Sequence, residues 1–294
     1  MQASILIVSK NRKQDLVKTL NIIDSLIDKI QVEVLVFLDG CTDASENLID
    51  EFKWVEFFVS EKSMGASAAR HKIYSITNSD ILIGLDDDAH PLNIDFISKI
   101  ENLFKENPNV GIFAFEEIKG VFASDEEAFA QSEHSKKEFL CSEFIGCGFA
   151  IRKSVYNMTN GFPVWIDIYG EESCLSIEVL SKGYDILYTN EIKINHRVNQ
   201  EQRKLNKQNY FRFGKQLKNS TYYFLVYYPS PLLNILKLYW HNLKKYALTD
   251  WQYFKIYFKT IFIVLTHVPK ILRHRNPVDK SLILKLRNLS FCKF

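Results

Sequence analysis

Three consecutive aspartates, Asp86, Asp87 and Asp88, stand directly behind the apolar run Ile81-Leu82-Ile83-Gly84-Leu85. A short apolar run bounded by turn residues reads as a buried strand, and the end of such a strand is where an α/β sheet presents groups to a ligand. Three adjacent carboxylates repel one another, and burying them unpaired is expensive. A hard divalent cation, Mn2+ or Mg2+, removes that penalty, because it takes carboxylate oxygens and bridges to substrate phosphates. The alternative is a solvated acidic turn. A second acidic pair, Glu171 and Glu172, opens a segment of helical periodicity behind Gly170. Two acids in the first turn of a helix also suit its dipole with no chemical role.

The surrounding segments alternate between two periods. Residues 3–8, 32–38 and 55–59 read as strands, as does the run before the triplet. Leu16, Leu20, Ile23 and Ile27 recur at helical spacing, and residues 66–76 form a second helical segment after Gly65. Asp39-Gly40-Cys41-Thr42-Asp43 is turn chemistry, with Thr42 or Asp43 placed to cap a helix after it. This order predicts an α/β fold whose mixed, mostly parallel sheet carries helices on both faces, with right-handed crossovers. Further strands are predicted at 110–115, 146–151 and 185–188, and a helix at 172–181 ending at Gly183.

The chain has 294 residues, enough for a sizeable core. With 47% hydrophobic and 24% charged residues it is ordinary globular material. Met1-Gln2-Ala3-Ser4 leads straight into an apolar strand without a basic segment, so no secretory signal is expected. Five cysteines, odd in number and without zinc-site spacing, fit reduced thiols in a cytoplasmic protein. The net charge of +2 conceals a split: residues 200–294 carry 18 Lys and Arg against 3 Asp and Glu, a charge of +15, leaving −13 for the first 199. We therefore divide the chain into 1–200, the α/β part, and 201–294, a basic, aromatic-rich helical region.

In that second part Trp251, Phe254, Tyr257, Phe258, Ile261, Phe262, Leu265 and Val268 are predicted to share one helical face, with Lys255 and Lys259 off it. The uncharged run 219–236 is long enough to raise a membrane span, but Pro229, Pro231 and several polar groups oppose one. Such a region either lies on an anionic membrane surface or packs on the α/β part with its lysines in water.

Five segments together carry a resemblance. Ser4-Ile5-Leu6-Ile7-Val8-Ser9-Lys10-Asn11-Arg12, Phe37-Leu38-Asp39-Gly40-Cys41-Thr42-Asp43, and Gly65-Ala66-Ser67-Ala68-Ala69-Arg70 before the triplet resemble family 2 glycosyltransferases. Gly148-Phe149-Ala150-Ile151-Arg152-Lys153 and Tyr169-Gly170-Glu171-Glu172-Ser173-Cys174-Leu175 come in the order that family uses, so that the likeness spans roughly residues 3–200. It implies a GT-A fold, a nucleotide-sugar donor and a divalent metal.

Carried onto matching positions, the resemblance assigns Asp39 to the N3–H of a uracil or thymine ring, and Ser9 and Arg12 to the nucleotide pocket. Asp86 would face the ribose or the metal, and Asp88 would ligate Mn2+ or Mg2+. Asp87 joins this donor-side group as a residue facing solvent or bonded to the loop. Arg70 either adds positive charge near the phosphates or is an exposed helix arginine. Inversion at an anomeric carbon needs a base opposite the leaving group, and Glu172 takes that position, with Glu171 binding or orienting the acceptor. The family pattern usually reads Glu-Asp where this chain has Glu-Glu. His196 matches a histidine that reaches back to the metal in many relatives, whereas His90 is expected to be turned away by Pro91. Trp165, Asp167 and Tyr169 are candidate acceptor-binding residues.

The expected function is an inverting, metal-dependent transfer from a UDP- or dTDP-sugar to a saccharide or lipid-linked acceptor in surface glycan synthesis. The setting would be the inner face of the cell membrane. Two rivals are a sugar-nucleotide pyrophosphorylase and a membrane-surface protein without catalysis. The first usually needs a glycine-rich loop after the first strand, and Ser9-Lys10-Asn11-Arg12-Lys13 contains no glycine.

Overall fold

In the sheet, alternate residues of each central strand are buried on opposite faces, the signature of a sheet covered on both sides. The computed structural model describes residues 2–198 and 208–291, so the expected boundary at residue 200 lies outside the described residues. Strands β1 (Ala3–Ser9), β2 (Val32–Asp39), β3 (Glu56–Ser60) and β4 (Ile81–Asp86) are mutually parallel, with β1 between β2 and β4. Helix α1 (Lys13–Leu26) puts Leu16, Leu20 and Ile23 against Ile5, Ile7, Val34, Val36 and Ile83; Ile100 and Phe104 of α4 (Phe96–Glu106) complete that layer. On the other face α3 (Ala66–Ile76) and α7 (Glu171–Ser181) bury Ala69, Ile73, Tyr74, Leu175 and Val179 against Leu6, Leu35, Phe37, Leu82 and Phe149.

Register decides what the sheet presents. Val8 pairs with both Phe37 and Asp86, so β1, β2 and β4 end at one edge and bring Ser9, Asp39 and the triplet there together. Beyond β4 the sheet turns mixed. Strand β8 (Gly148–Arg152) runs antiparallel between β4 and β6 (Val110–Lys119), and β9 (Asp185–His196) lies parallel to β6.

Strand β9 continues far beyond the predicted 185–188, because a register shift near Phe115 and Glu116 lets it keep pairing as far as His196. Its last residues pair with a three-residue strand, β5 (Ala89–Pro91), in which Ala89 faces His196. A second three-residue strand, β7 (Glu138–Leu140), flanks β9. Neither short strand is expected from sequence, since three residues carry no period. The shortest helices are α2 (Leu48–Glu51), α5 (Asp125–Ala130) and α6 (Lys153–Tyr156).

The carboxyl-terminal region is helical: α8 (Gln208–Tyr227), α9 (Leu232–Asn242), α10 (Trp251–Leu272) and α11 (Lys280–Asn288). Pro229 and Pro231 fall between α8 and α9, and among the described residues no helix is long and apolar enough to cross a membrane. Helix α8 packs on the α/β part, where Tyr222, Val226 and Tyr227 meet Cys174 and Ile177 of α7. The single apolar face expected for α10 is in fact two. Tyr257, Val264 and Ile271 are buried, while Trp251, Phe258, Phe262 and Leu265 are exposed. The four described cysteines are unpaired thiols.

Candidate active site

At the strand ends, Asp88 is buried between two cations. Arg12 donates to its Oδ2 at 2.7 Å, and His196 Nε2 lies 3.2 Å from its Oδ1, which accepts no well-aligned hydrogen bond. Burial alone would raise the Asp88 pKa. The nearby charges of His196, then Arg12, outweigh it and hold the carboxyl well below the usual range. Asp87, expected to face solvent or to be hydrogen-bonded to the loop, is buried, and its bonds run to the end of β1 and the segment after it. Ser9 Oγ donates to its Oδ2 at 2.7 Å and Arg12 Nη1 lies 3.0 Å from Oδ1. Burial, reinforced by the Asp88 charge and only partly offset by Arg12, pushes its pKa up to about 7. Asp87 thus sets Ser9 and Arg12 in place from behind.

One ligand atom each from Asp86, Asp88 and His196 falls within 4.8 Å of the others. Two carboxylates and an imidazole form a donor set that suits Mn2+, and the buried Asp88 Oδ1 is one of its oxygens. The residues therefore fit a divalent cation. Behind His196, Nδ1 is hydrogen-bonded to Glu117, which sequence reasoning missed. A carboxylate on the far nitrogen is the usual way a ligand histidine is oriented. Burial works against a charged imidazole here, but its contacts with Asp88, Cys147 and Glu117 push its pKa up to about 12, so a cation bound at Nε2 would displace a proton from it. Arg197 is a second missed residue. Its backbone N–H donates to Asp88 O at 2.9 Å, and its guanidinium donates to Thr19 Oγ1 at 2.5 Å and to Asp15 O at 3.1 Å, holding the turn's main chain. His90 accepts from Arg197 at 2.5 Å and lies 3.0 Å from Asp125; these contacts hold it, and Pro91, expected to turn it away, continues strand β5.

Asp39 is also buried. Its carboxylate accepts from Ser63 Oγ at 2.6 Å, Met64 N at 2.7 Å and Gly65 N at 3.1 Å, closing the 63–65 loop over the end of β2. Gly65 adopts φ +92°, a conformation L side chains rarely take.

Arg70 is neither exposed nor free. It rises from α3 with its aliphatic stem buried and its guanidinium near the Phe162 ring (5.7 Å). Nη2 reaches Asp86 Oδ1 at 2.6 Å, while Nη1 reaches Glu171 at 3.2 Å and Glu172 at 3.1 Å. One cation thus joins the two acidic groups that the sequence presents 85 residues apart (Asp86 to Glu171). The backbone of Gly146 passes close by. A methyl group there would come within 2.8 Å of Arg70 Nη1 and would also strike Glu172, which only glycine avoids. Glu171 is 3% exposed and Glu172 22%, so the second acid of the pair is the more accessible one.

Three carboxylates share a single guanidinium, and the neutral form is most favoured at the most buried of them. Burial, then the like charge of Glu172, hold Glu171 above the ordinary range, and Arg70 offsets only part. Its Oε2 is buried without a hydrogen-bond partner among the described residues. For a carboxyl raised on folding, the native state binds more protons than the unfolded one once pH exceeds the unfolded value near 4.3, so stability falls as pH rises further. Glu171→Gln is expected to unfold at the same temperature as the parent in acid and at a higher temperature at neutral pH and above. Circular dichroism melts across pH check this. A variant weakened at neutral pH would mean an ionised Glu171 that Arg70 requires.

The acceptor candidates are engaged with the helical region. Asp167 pairs with Lys215 and with Lys218, the latter at 3.2 Å. Burial favours its neutral form, but Lys215 and Lys218 outweigh that and bring its pKa to about 2. Trp165 packs beside Tyr222, Tyr227 and His274, with ring centroids 6.1 to 6.5 Å apart. Tyr169, at φ +69°, lies under Arg212 (5.1 Å) and beside Phe211. Asn219 donates to Ile168 O at 2.7 Å and Tyr169 O at 2.8 Å, tying this loop to α8 just before Glu171. A cleft of about 560 Å3 between residues 158–165 and 273–276 is lined by neither the triplet nor Arg70 nor the glutamate pair.

A three-layer sheet with carboxylates at the end of β4 and an acidic helix start facing them has the GT-A fold. The chain belongs to glycosyl transferase family 2, whose family model matches residues 4–157, from β1 through the triplet to α6. No curated protein matches the chain by sequence. Among solved structures, GalNAc-T7 with UDP, GalNAc and Mn2+ superposes with a TM-score of 0.60 at 15% identity, over 79% of this chain and 49% of that one. The Pyrobaculum calidifontis mannosyltransferase PcManGT with GDP-Man and Mn2+ gives 0.58 at 13% identity, over 98% and 79%. S. aureus TarS 1-349 in complex with UDP-GlcNAc gives 0.52 at 14%, over 68% and 60%. The chain spans about half the length of the GalNAc-T7 structure, and at these identities the likeness is one of fold.

Proposed function

We propose that the chain is a metal-dependent, inverting glycosyltransferase that moves a sugar from a UDP- or dTDP-sugar to a hydroxyl group of a saccharide or lipid-linked acceptor, in the synthesis of a surface glycan. The observation that carries this reading is Arg70, whose guanidinium lies 2.6 Å from Asp86 and 3.1 Å from Glu172. It fixes the donor end and the base end of one cleft relative to each other, as a displacement between two bound reactants requires. Structures of the same fold holding UDP with Mn2+, GDP-Man with Mn2+, or UDP-GlcNAc support a nucleotide-sugar donor.

Asp39 Oδ1 accepts only from Met64 N among the described residues, and its remaining lone pair suits a ring N–H of the base. Ser9 and Arg12, held by Asp87, border the nucleotide. Asp86, Asp88 and His196 would hold Mn2+ or Mg2+, which when bound supplies positive charge that stabilises the departing diphosphate. Glu172 accepts the proton of the acceptor hydroxyl as that oxygen bonds to the anomeric carbon. The glycosidic C–O bond breaks with its electron pair going to the diphosphate oxygen. Arg70 keeps Glu172 aimed, and burial, by favouring the uncharged form of Glu171, lessens the negative charge beside the base.

The test is a panel of UDP- and dTDP-sugars with Mn2+. One donor should raise the melting temperature and slowly release nucleoside diphosphate, faster once a saccharide acceptor is added. Pyrophosphate formation from a nucleoside triphosphate and a sugar phosphate, or no turnover of any donor, would contradict the proposal.

A further inference from the structure

Helices α9 and α10 each leave a stripe of large apolar side chains uncovered. On α9 the stripe is Leu232, Leu233, Leu236 and Trp240; on α10 it is Trp251 (67% exposed), Phe258, Phe262 (69%) and Leu265. At 100° per residue, the α10 stripe sits roughly 140° around the helix from Tyr257, Thr260, Val264 and Ile271, its buried face. The inner stripe already accounts for packing on α8, so the outer one is unexplained by this fold. The two helices touch where the Tyr239 and Tyr257 rings meet at 5.6 Å and the Tyr257 hydroxyl donates to Tyr239 O at 3.1 Å. That contact is made by the buried face of α10, so the two stripes stand on neighbouring helices, and exposed large apolar side chains grouped on neighbouring elements suit an interaction site.

The charged residues around it are lysines but for one. Lys237, Lys244, Lys245, Lys255 and Lys259 are all exposed, with Lys244 Nζ 4.5 Å from the Trp240 ring and Lys255 Nζ 5.3 Å from that of Trp251. From residue 232 to 265 the one acidic residue is Asp250, which is spent capping α10 through Gln252 N and Tyr253 N. A second copy of this chain on the same face would set its lysines against their own kind.

We propose that this face docks on an anionic lipid bilayer. The tryptophan, phenylalanine and leucine side chains enter the boundary between headgroups and acyl chains, while the lysine stems lie along the apolar surface and their ammonium groups reach the lipid phosphates. Helix α8, which packs on both neighbours, also ties the 165–170 loop through Lys215, Lys218 and Asn219. The docked face and the approach to Glu171 and Glu172 are thus braced by one helix, an arrangement suited to an acceptor carried in the membrane. The docking itself does not depend on the transfer chemistry.

The test is co-sedimentation with vesicles of equal parts phosphatidylglycerol and phosphatidylcholine, with tryptophan emission as a second readout. The intact chain is expected to bind at low salt with a blue shift, to bind less at high salt, and to bind phosphatidylcholine vesicles poorly. Replacing Phe262 and Leu265 by glutamate should abolish binding. Replacing Lys244, Lys255 and Lys259 by glutamine should weaken it roughly a hundredfold. Circular dichroism melts like those of the parent would exclude misfolding. Absence of binding by the intact chain, equal binding to phosphatidylcholine alone, or a concentration-dependent dimer abolished by the same glutamates without vesicle binding would each overturn the proposal. Vesicle binding by a protein that turns over no nucleotide sugar would leave the docking face standing and remove the transfer reading.

Discussion

Asp88→Asn is expected to lower Mn2+-dependent sugar transfer by roughly three orders of magnitude while the chain still folds. Asparagine keeps the shape and removes the charge that a divalent cation needs from this position. Arg12 would retain Asp87 at 3.0 Å and Asp15 at 2.9 Å, so the substitution does not strand it. Alanine is the poorer choice, because it would also open a hole beside His196. A stability change is expected as well, and its sign is fixed. Asp88 is held ionised below the ordinary carboxylate range, so the stabilisation it brings is present above the unfolded value and lost as pH falls through the folded one. The melting-temperature gap between parent and variant should therefore be widest at neutral pH and close in acid. Rates measured at neutral pH, below both melting temperatures, separate the catalytic loss from the structural one.

Glu172→Gln is expected to reduce turnover by about two to four orders of magnitude, with donor-induced thermal stabilisation unchanged. The amide can still accept from Arg70 Nη1, now 3.1 Å from the carboxylate, so the cleft keeps its geometry and loses only the base. Glu171→Gln, at a buried position where the neutral form is favoured, should cost far less activity. If Glu171→Gln were the inactive variant and Glu172→Gln remained active, the two roles would be interchanged. Steady-state kinetics with the donor identified by the panel decide between these outcomes.

Local pattern carried much of the fold. The strand before the triplet and the helix over 66–76 arise directly from period and turn residues, and both acidic groups stand at the ends of regular elements where sequence placed them. Long-range pairing was not legible. That β8 enters antiparallel between β4 and β6, and that a register shift carries β9 on to His196, are consequences of tertiary contacts with no periodic trace. The partners of His196 and Asp88, namely Glu117 and Arg197, were missed for that reason. Arg70 could not be read as a link between Asp86 and Glu172, since a helix residue's neighbour across the cleft depends on the angle at which two layers pack. The α10 aromatics share a period but serve two faces, and period alone cannot separate a stripe that packs inward from one that stays exposed.

Binding of Mn2+ in the presence of UDP tests the central claim most directly, because it needs neither the acceptor nor turnover. Electron paramagnetic resonance reports the free ion. With the parent chain and UDP, the free-ion signal is expected to fall by one equivalent per chain, and with Asp88→Asn it should remain as in buffer. Undiminished binding by Asp88→Asn, or none by the parent, would contradict a cation site built from Asp86, Asp88 and His196.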